Sequence, residues 1–231
     1  MNLTVLYEDN HLIAVFKPAG MLSQGDKTSD VSMFDMVKDY IKEKKNKKTP
    51  SNPSGQAGNV YVGLLHRLDR PVAGIILFAK TSKGASRLSE QFRNHQIEKT
   101  YHAIVVGKPE KNRGVLTHFL IKDEKLKKAR SSGKGEEAHL YYEVVTSNEK
   151  CSLLKIKIET GKFHQIRAQL SSAGFPILGD VKYGGERWHD EKSLALCATE
   201  LHFCTATESK LVKILIKIPE DWQKYLSTGR A

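Results

Sequence analysis

Leu154, Ile156 and Ile158 alternate with Lys155, Lys157 and Glu159, and Val212, Ile214, Ile216 and Ile218 do the same around Lys213 and Lys217. Alternation with a period of two puts the apolar side chains on one face and the charged ones on the other, as in a strand buried on one side only. Further strands are expected at Leu3–Tyr7 and Leu12–Phe16, around the turn Glu8-Asp9-Asn10, and at Val62–His66, Gly74–Lys80, Tyr101–Val106 and His139–Val145. Helical spacing is rarer. Phe34, Val37 and Ile41 share a face behind a Ser29/Asp30 cap. Ala85, Leu88 and Phe92 follow a Thr81/Ser82 cap, and Phe163, Ile166 and Leu170 precede a stop at Gly174 and Pro176. Strands outnumber helices and do not alternate with them as βαβ units require. The expectation is an α+β fold: one domain over residues 1–231, with a mixed, largely antiparallel sheet flanked by helices and loops. Two basic, mobile loops are expected near 42–58 and 122–137.

Charge narrows the partner. Lysine and arginine number 37 against 26 acidic residues, a net +11. A folded domain this basic is suited to a polyanion, because neutralising phosphates releases counterions, although solubility alone or an anionic membrane surface would account for the charge as well. No apolar run approaches the roughly 20 residues that span a bilayer, and acidic Glu8 and Asp9 stand where a secretory signal would be basic. Cys151, Cys197 and Cys204 have no C-x-x-C spacing, which fits reduced thiols in the cytoplasm. The histidines form no H-x-x-x-H pair, so no metal site is expected.

Three constellations carry chemistry. In His66-Arg67-Leu68-Asp69-Arg70-Pro71 a carboxylate lies between two arginines at the end of an apolar strand. If that end is extended, Arg67 and Asp69 point to one side, and the cations favour the ionised carboxylate. Taken alone, this also reads as a surface ion pair. In Gly161-Lys162-Phe163-His164-Gln165-Ile166-Arg167, a helix starting near Phe163 places His164, Arg167 and Ser171 on one face. An ordinary amphipathic helix reads the same way. Tyr101, following Glu98-Lys99-Thr100, is either a core-edge residue or a platform on which a base stacks.

Taken in order, these segments resemble the RluA-type pseudouridine synthases. The likeness runs from Tyr7-Glu8-Asp9 and Lys17-Pro18-Ala19-Gly20 through His66-Arg67-Leu68-Asp69 with Gly74, and Lys99-x-Tyr101. It continues through Gly161-Lys162-x-His164-Gln165-Ile166-Arg167 to Pro176-Ile177-x-Gly179-Asp180-x-x-Tyr183-Gly184. After Asp69 the family often has Thr-Ser-Gly, where this chain has Arg70-Pro71-Val72-Ala73-Gly74. Many relatives also carry an N-terminal S4 module. Here the first strand begins at residue 3, so a stand-alone catalytic domain is expected.

The resemblance implies an isomerase that converts specific uridines of structured rRNA or tRNA to pseudouridine. Uracil is detached from C1′, turned and rejoined through C5; nothing is oxidised and nothing leaves, so no cofactor is expected. The implied catalytic residues are Asp69, Tyr101 beneath the uracil, and Arg167 pairing with Asp69. Arg67, His66, Lys162, His164 and Gln165 are implied to bind substrate, with His66 also suited to packing behind its strand. A cytoplasmic monomer acting on an RNA stem-loop follows. The alternative is a non-catalytic RNA-binding protein of the same fold; a hydrolase would need a second motif carboxylate, and Asp180 reads as part of a structural loop.

Overall fold

The computed structural model describes residues 2–48, 60–188 and 192–227. The chain divides into two compact units, one comprising Met1–Ile97 with His202–Ile214, the other Glu98–Leu201 with Leu215–Ala231. Each unit combines strands with helices, the α+β class expected from the alternation.

In the first unit β1 (Val5–Glu8), β2 (Leu12–Lys17) and β4 (Ala73–Ala79) form an antiparallel ladder, with the two-residue β3 (Gly63–Leu64) added to β4. The turn between β1 and β2 is set by Asp9, whose carboxylate accepts from the amides of His11 and Leu12 at 2.7 Å each. Helix α1 (Met33–Lys48) lays Met33, Val37 and Ile41 on Ile13, Val15, Ile76 and Phe78. Its cap is Ser32, not the expected Ser29/Asp30. The Ser32 hydroxyl and amide both bond the Asp35 carboxylate, and the Asp35 amide returns a bond to the hydroxyl, a reciprocal box that the other residues cannot make. The helix also continues through 42–48, where a loop was expected, because Lys and Glu are good helix formers. The remainder of that expected loop, 49–58, lies outside the described residues. Helix α2 (Ser82–Arg93) begins at the expected cap, the Thr81 hydroxyl accepting from the Gly84 amide at 3.0 Å. Gly84 is obligatory for a different reason: a Cβ there would meet the His11 carbonyl at 2.6 Å.

In the second unit β5 (Glu98–Val106), β9 (Cys151–Ile158), β8 (Glu136–Ser147), β6 (Arg113–Asp123) and β7 (Lys128–Ser131) form an antiparallel ladder in that order. The basic segment expected as a loop near 122–137 is therefore mostly a hairpin. Asp123 turns it by accepting the Leu126 amide at 3.0 Å, and Ala129 is drawn into a buried cluster with Leu120, Ala138 and Ala168. Helix α3 (Gln165–Ser172) packs against β6, β7 and β8. It starts two residues later than expected because His164 takes φ 52°, a left-handed conformation that cannot belong to a helix. Phe163 thus leaves the predicted stripe and is exposed.

Strand β10 (Leu196–Cys204) had no signal in the sequence, since most of it is buried on both faces and shows no clean alternation. Strand β11 (Leu211–Leu215) is shorter than the apolar alternation, though Ile216 still donates to the Thr199 carbonyl at 2.9 Å. Among the described residues, no helix is long and apolar enough to cross a membrane.

Candidate active site

The expected strand Val62–His66 stops at Leu64, and a side chain explains why. The next β4 amide, Leu77 N–H, donates not to a backbone carbonyl but to His66 Nε2 at 3.1 Å, while the His66 ring lies 5.3 Å from Phe92. The chain then runs free of the ladder through Arg67, Leu68 and Asp69. Leu68 is buried, and the residues on either side of it are exposed (Arg67) and half-buried (Asp69).

Both neighbours of Asp69 are held through their backbones. Ser23 Oγ donates to the Leu68 carbonyl at 2.7 Å and accepts the Leu68 amide at 3.1 Å, so one buried hydroxyl satisfies both groups. The Arg70 carbonyl accepts from the Gly20 amide at 2.8 Å and from Lys17 Nζ at 3.1 Å. Asp69 itself closes a turn, its carbonyl accepting the Val72 amide at 3.0 Å. Gly20 has φ 82°, a conformation that favours glycine. Arg70 reaches back to the Gly20 carbonyl and pairs with Asp30 at 2.7 Å.

Lys17 is fully buried. Its ammonium donates to the carbonyls of Pro18 (3.1 Å), Met21 (2.7 Å) and Arg70, and burial pushes its pKa down to about 7, with Asp69 pulling upward and Arg70 adding to the depression. Sequence reasoning gives Ser23 no part, and Lys17 enters it only within the Lys17-Pro18-Ala19-Gly20 motif, without a role. Lys17 had a signal: it continues the buried series Ile13, Val15 along β2, where a lysine must find partners.

In the second unit, Tyr101 sits within β5 opposite Ile156 and is buried. Burial also lowers the pKa of its neighbour Lys99. Arg167, on the first turn of α3, is buried with Asp180. Its Nε and Nη2 donate to the two carboxylate oxygens at 2.7 and 2.8 Å, a bidentate fork. Asp180 does lie in a loop between glycines, as expected, but it is also this arginine's partner. Arg167 Nη1 contacts His164 Nε2 at 3.2 Å, and His164 Nδ1 lies 2.9 Å from the Tyr183 hydroxyl.

Gln165 is buried and its carboxamide is engaged inside the unit. It accepts from Thr160 Oγ1 (2.7 Å) and the Lys162 amide (3.1 Å), and donates to the His139 carbonyl (3.0 Å). Lys162 is half-buried and pairs with Glu136. Helix α3 therefore gathers Lys162, His164, Gln165 and Arg167 around its first turn, as the first unit gathers His66, Arg67 and Asp69 on one segment. The face shared by His164, Arg167 and Ser171 is not open to solvent as an amphipathic helix would have it. The Tyr183 loop covers it, and Ser171 Oγ donates to the Tyr183 carbonyl at 2.6 Å. Among the described residues, no three or more His, Cys, Asp or Glu side chains are placed to hold a metal ion.

Comparison with known proteins places the chain in a family. The family model described as RNA pseudouridylate synthase matches residues 11–172. The chain is 30% identical over 233 residues to a ribosomal large subunit pseudouridine synthase D of Zymomonas mobilis, covering 96% of this chain and 71% of that one. It is 32% identical over 245 residues to a tRNA pseudouridine synthase C of Haemophilus ducreyi, covering 96% and 94%. Human RNA Pseudouridylate Synthase Domain Containing 4 shares the fold, with a TM-score of 0.75 at 24% identity over 95% of this chain and 90% of that one. Segments from β2 through α3, including those that carry Asp69, Tyr101 and Arg167, fall inside the matched region, and the chain belongs to the RNA pseudouridylate synthase family of isomerases.

Proposed function

We propose that this protein isomerises uridines of rRNA or tRNA to pseudouridine with Asp69 as its catalytic carboxylate. The observation that carries the assignment is the way Asp69 is held. The residues before and after it have their backbone groups tied by Ser23, Gly20 and Lys17, yet Asp69 itself stays half-exposed. A carboxylate fixed in place but reachable is what covalent or base chemistry at a ribose needs. Asp69 attacks C1′ or removes the C2′ proton. Arg167 serves as its partner cation, and Tyr101 as the surface on which the uracil turns. The leaving uracil is stabilised by its own carbonyls and is retained, so one carboxylate suffices and no cofactor or metal is consumed. The target base leaves its stack at a cost of a few kcal/mol.

Exposed Arg67 and half-buried Lys162 are suited to RNA phosphates. His66, His164 and Gln165, whose contacts lie within the protein, take part by shaping the pocket for the substrate. The net charge of +11 supports binding to a structured RNA. On this reading the protein acts as a cytoplasmic monomer with a single catalytic domain.

The test uses cellular RNA lacking pseudouridine and labelled with tritium at uracil C5, incubated with wild type and with Asp69→Ala. Release to water by wild type alone supports the assignment. Release surviving in Asp69→Ala removes Asp69 from the chemistry. No release from any RNA, with binding intact, favours a non-catalytic RNA-binding protein.

A further inference from the structure

Tyr183 has no part in the chemistry so far, yet it meets every polar residue on the covered face of α3. Its carbonyl takes the Ser171 hydroxyl. Its ring lies 5.1 Å from the Arg167 guanidinium carbon and 5.8 Å from Lys128 Nζ. Its phenol oxygen accepts the Ala129 amide of β7 at 2.6 Å and stands 2.9 Å from His164 Nδ1.

The protons in this chain can be placed by elimination. An arginine is always protonated and has only donors, so at the 3.2 Å contact His164 Nε2 must offer a lone pair. The imidazole is then neutral with its proton on Nδ1, and Nδ1–H donates to Tyr183. The surroundings agree, since a second cation here would be repelled. Besides Arg167, the group faces Lys128 over Tyr183 and Lys122 over Phe163, whose ring stacks on His164 at 3.8 Å, and Lys182 on the Tyr183 loop adds a further cation beside Arg167 and Lys128. Asp180 is engaged by the arginine, and Glu136 by Lys162. Both lone pairs of the phenol oxygen are taken by N–H donors, from β7 and from His164.

We infer that Tyr183 is a positioning residue: it holds His164 as the Nδ1–H tautomer, so that Nε2 and Asp180 together fix the Arg167 guanidinium from two sides. The relay also ties that guanidinium to the backbone of the basic β6–β7 hairpin. The inference rests on the reading of Arg167 as the partner of the catalytic carboxylate.

Tyr183→Phe keeps the ring, its cation contacts and the Ser171 bond, and removes only the oxygen. Its single-turnover rate of tritium release should fall about tenfold while RNA affinity stays within about twofold, the pattern of a misplaced catalytic group. His164→Asn tolerates the left-handed backbone but is too short to reach Arg167, and should lose at least as much as Tyr183→Phe. In full-length protein, the ¹⁵N shift of His164 Nε2, assigned by its disappearance in His164→Asn, should be that of an unprotonated nitrogen. A wild-type rate in Tyr183→Phe, equal losses in rate and RNA affinity, or a protonated Nε2 would each overturn the inference. Absence of tritium release from wild type would defeat the functional reading instead, and the nitrogen shift would still decide the tautomer.

Discussion

Replacing Ser23 by alanine removes one oxygen and leaves two backbone groups of Leu68 without their partner. Ser23 and Leu68 are each 6% exposed, so neither group has ready access to bulk water. The lost contacts are the 2.7 Å bond to the Leu68 carbonyl and the 3.1 Å bond from its amide. A buried donor or acceptor left unmade costs about 1–3 kcal/mol. Two such groups bound the effect at about 2–6 kcal/mol, and a water entering beside half-exposed Asp69 pulls it toward the lower end, about 3 kcal/mol. The loss should appear as a lower urea midpoint at unchanged slope. If the segment opens locally before the protein unfolds, the same cost appears as faster exchange of the Leu68 amide. Either way the position of Asp69 loosens and tritium release slows. Ser23→Thr keeps the hydroxyl and should lose less than about 1 kcal/mol in the same assay. The reasoning fails if Ser23→Ala unfolds at the wild-type midpoint, with Leu68 exchange and turnover also unchanged.

Asp180→Asn leaves the buried Arg167 without the charge it forks onto, and should cost about 3–5 kcal/mol in urea unfolding; a loss under about 1 kcal/mol would mean that the pair contributes little. For Lys17, the folded pKa of about 7 lies below the ordinary 10.5, so between these values the unfolded chain binds more protons and stability rises with pH. The slope is at most about 1.4 kcal/mol per pH unit, since the three carbonyl acceptors favour the charged form. Below pH 7 this contribution is flat, and Lys17→Met should remove the slope; equal pH dependence in the two proteins from pH 7.5 to 9.5 would contradict it. Gly185→Ala would put a Cβ 2.1 Å from the Ile177 carbonyl, and should lower stability by about 2 kcal/mol or more. An unchanged Tm would show that the 179–185 loop yields.

Local pattern made much of the architecture legible. The alternation in β9, the core stripe of α1 and the Thr81 cap each depend on residues within a few positions, and each appears where the spacing puts it. The candidate site was legible as ordered motifs, which the family match spans from β2 through α3. What was misread depended on distant partners. The loop expected at 122–137 became a hairpin because Ala129 finds Leu120, Ala138 and Ala168. The strand expected through His66 ended early because an imidazole took the place of a carbonyl on Leu77.

Residue identity and spacing thus determined the chemistry on offer: a carboxylate between arginines, a tyrosine at the start of a strand, a guanidinium at the start of a helix, and a surplus of positive charge. Tertiary structure alone decided how those groups are held. Ser23 meets Leu68 across 45 positions, Lys17 meets Arg70 across 53, and Tyr183 meets Ala129 across 54. No local periodicity encodes such pairings, because each exists only where folding has removed water and left a buried polar atom in need of a partner.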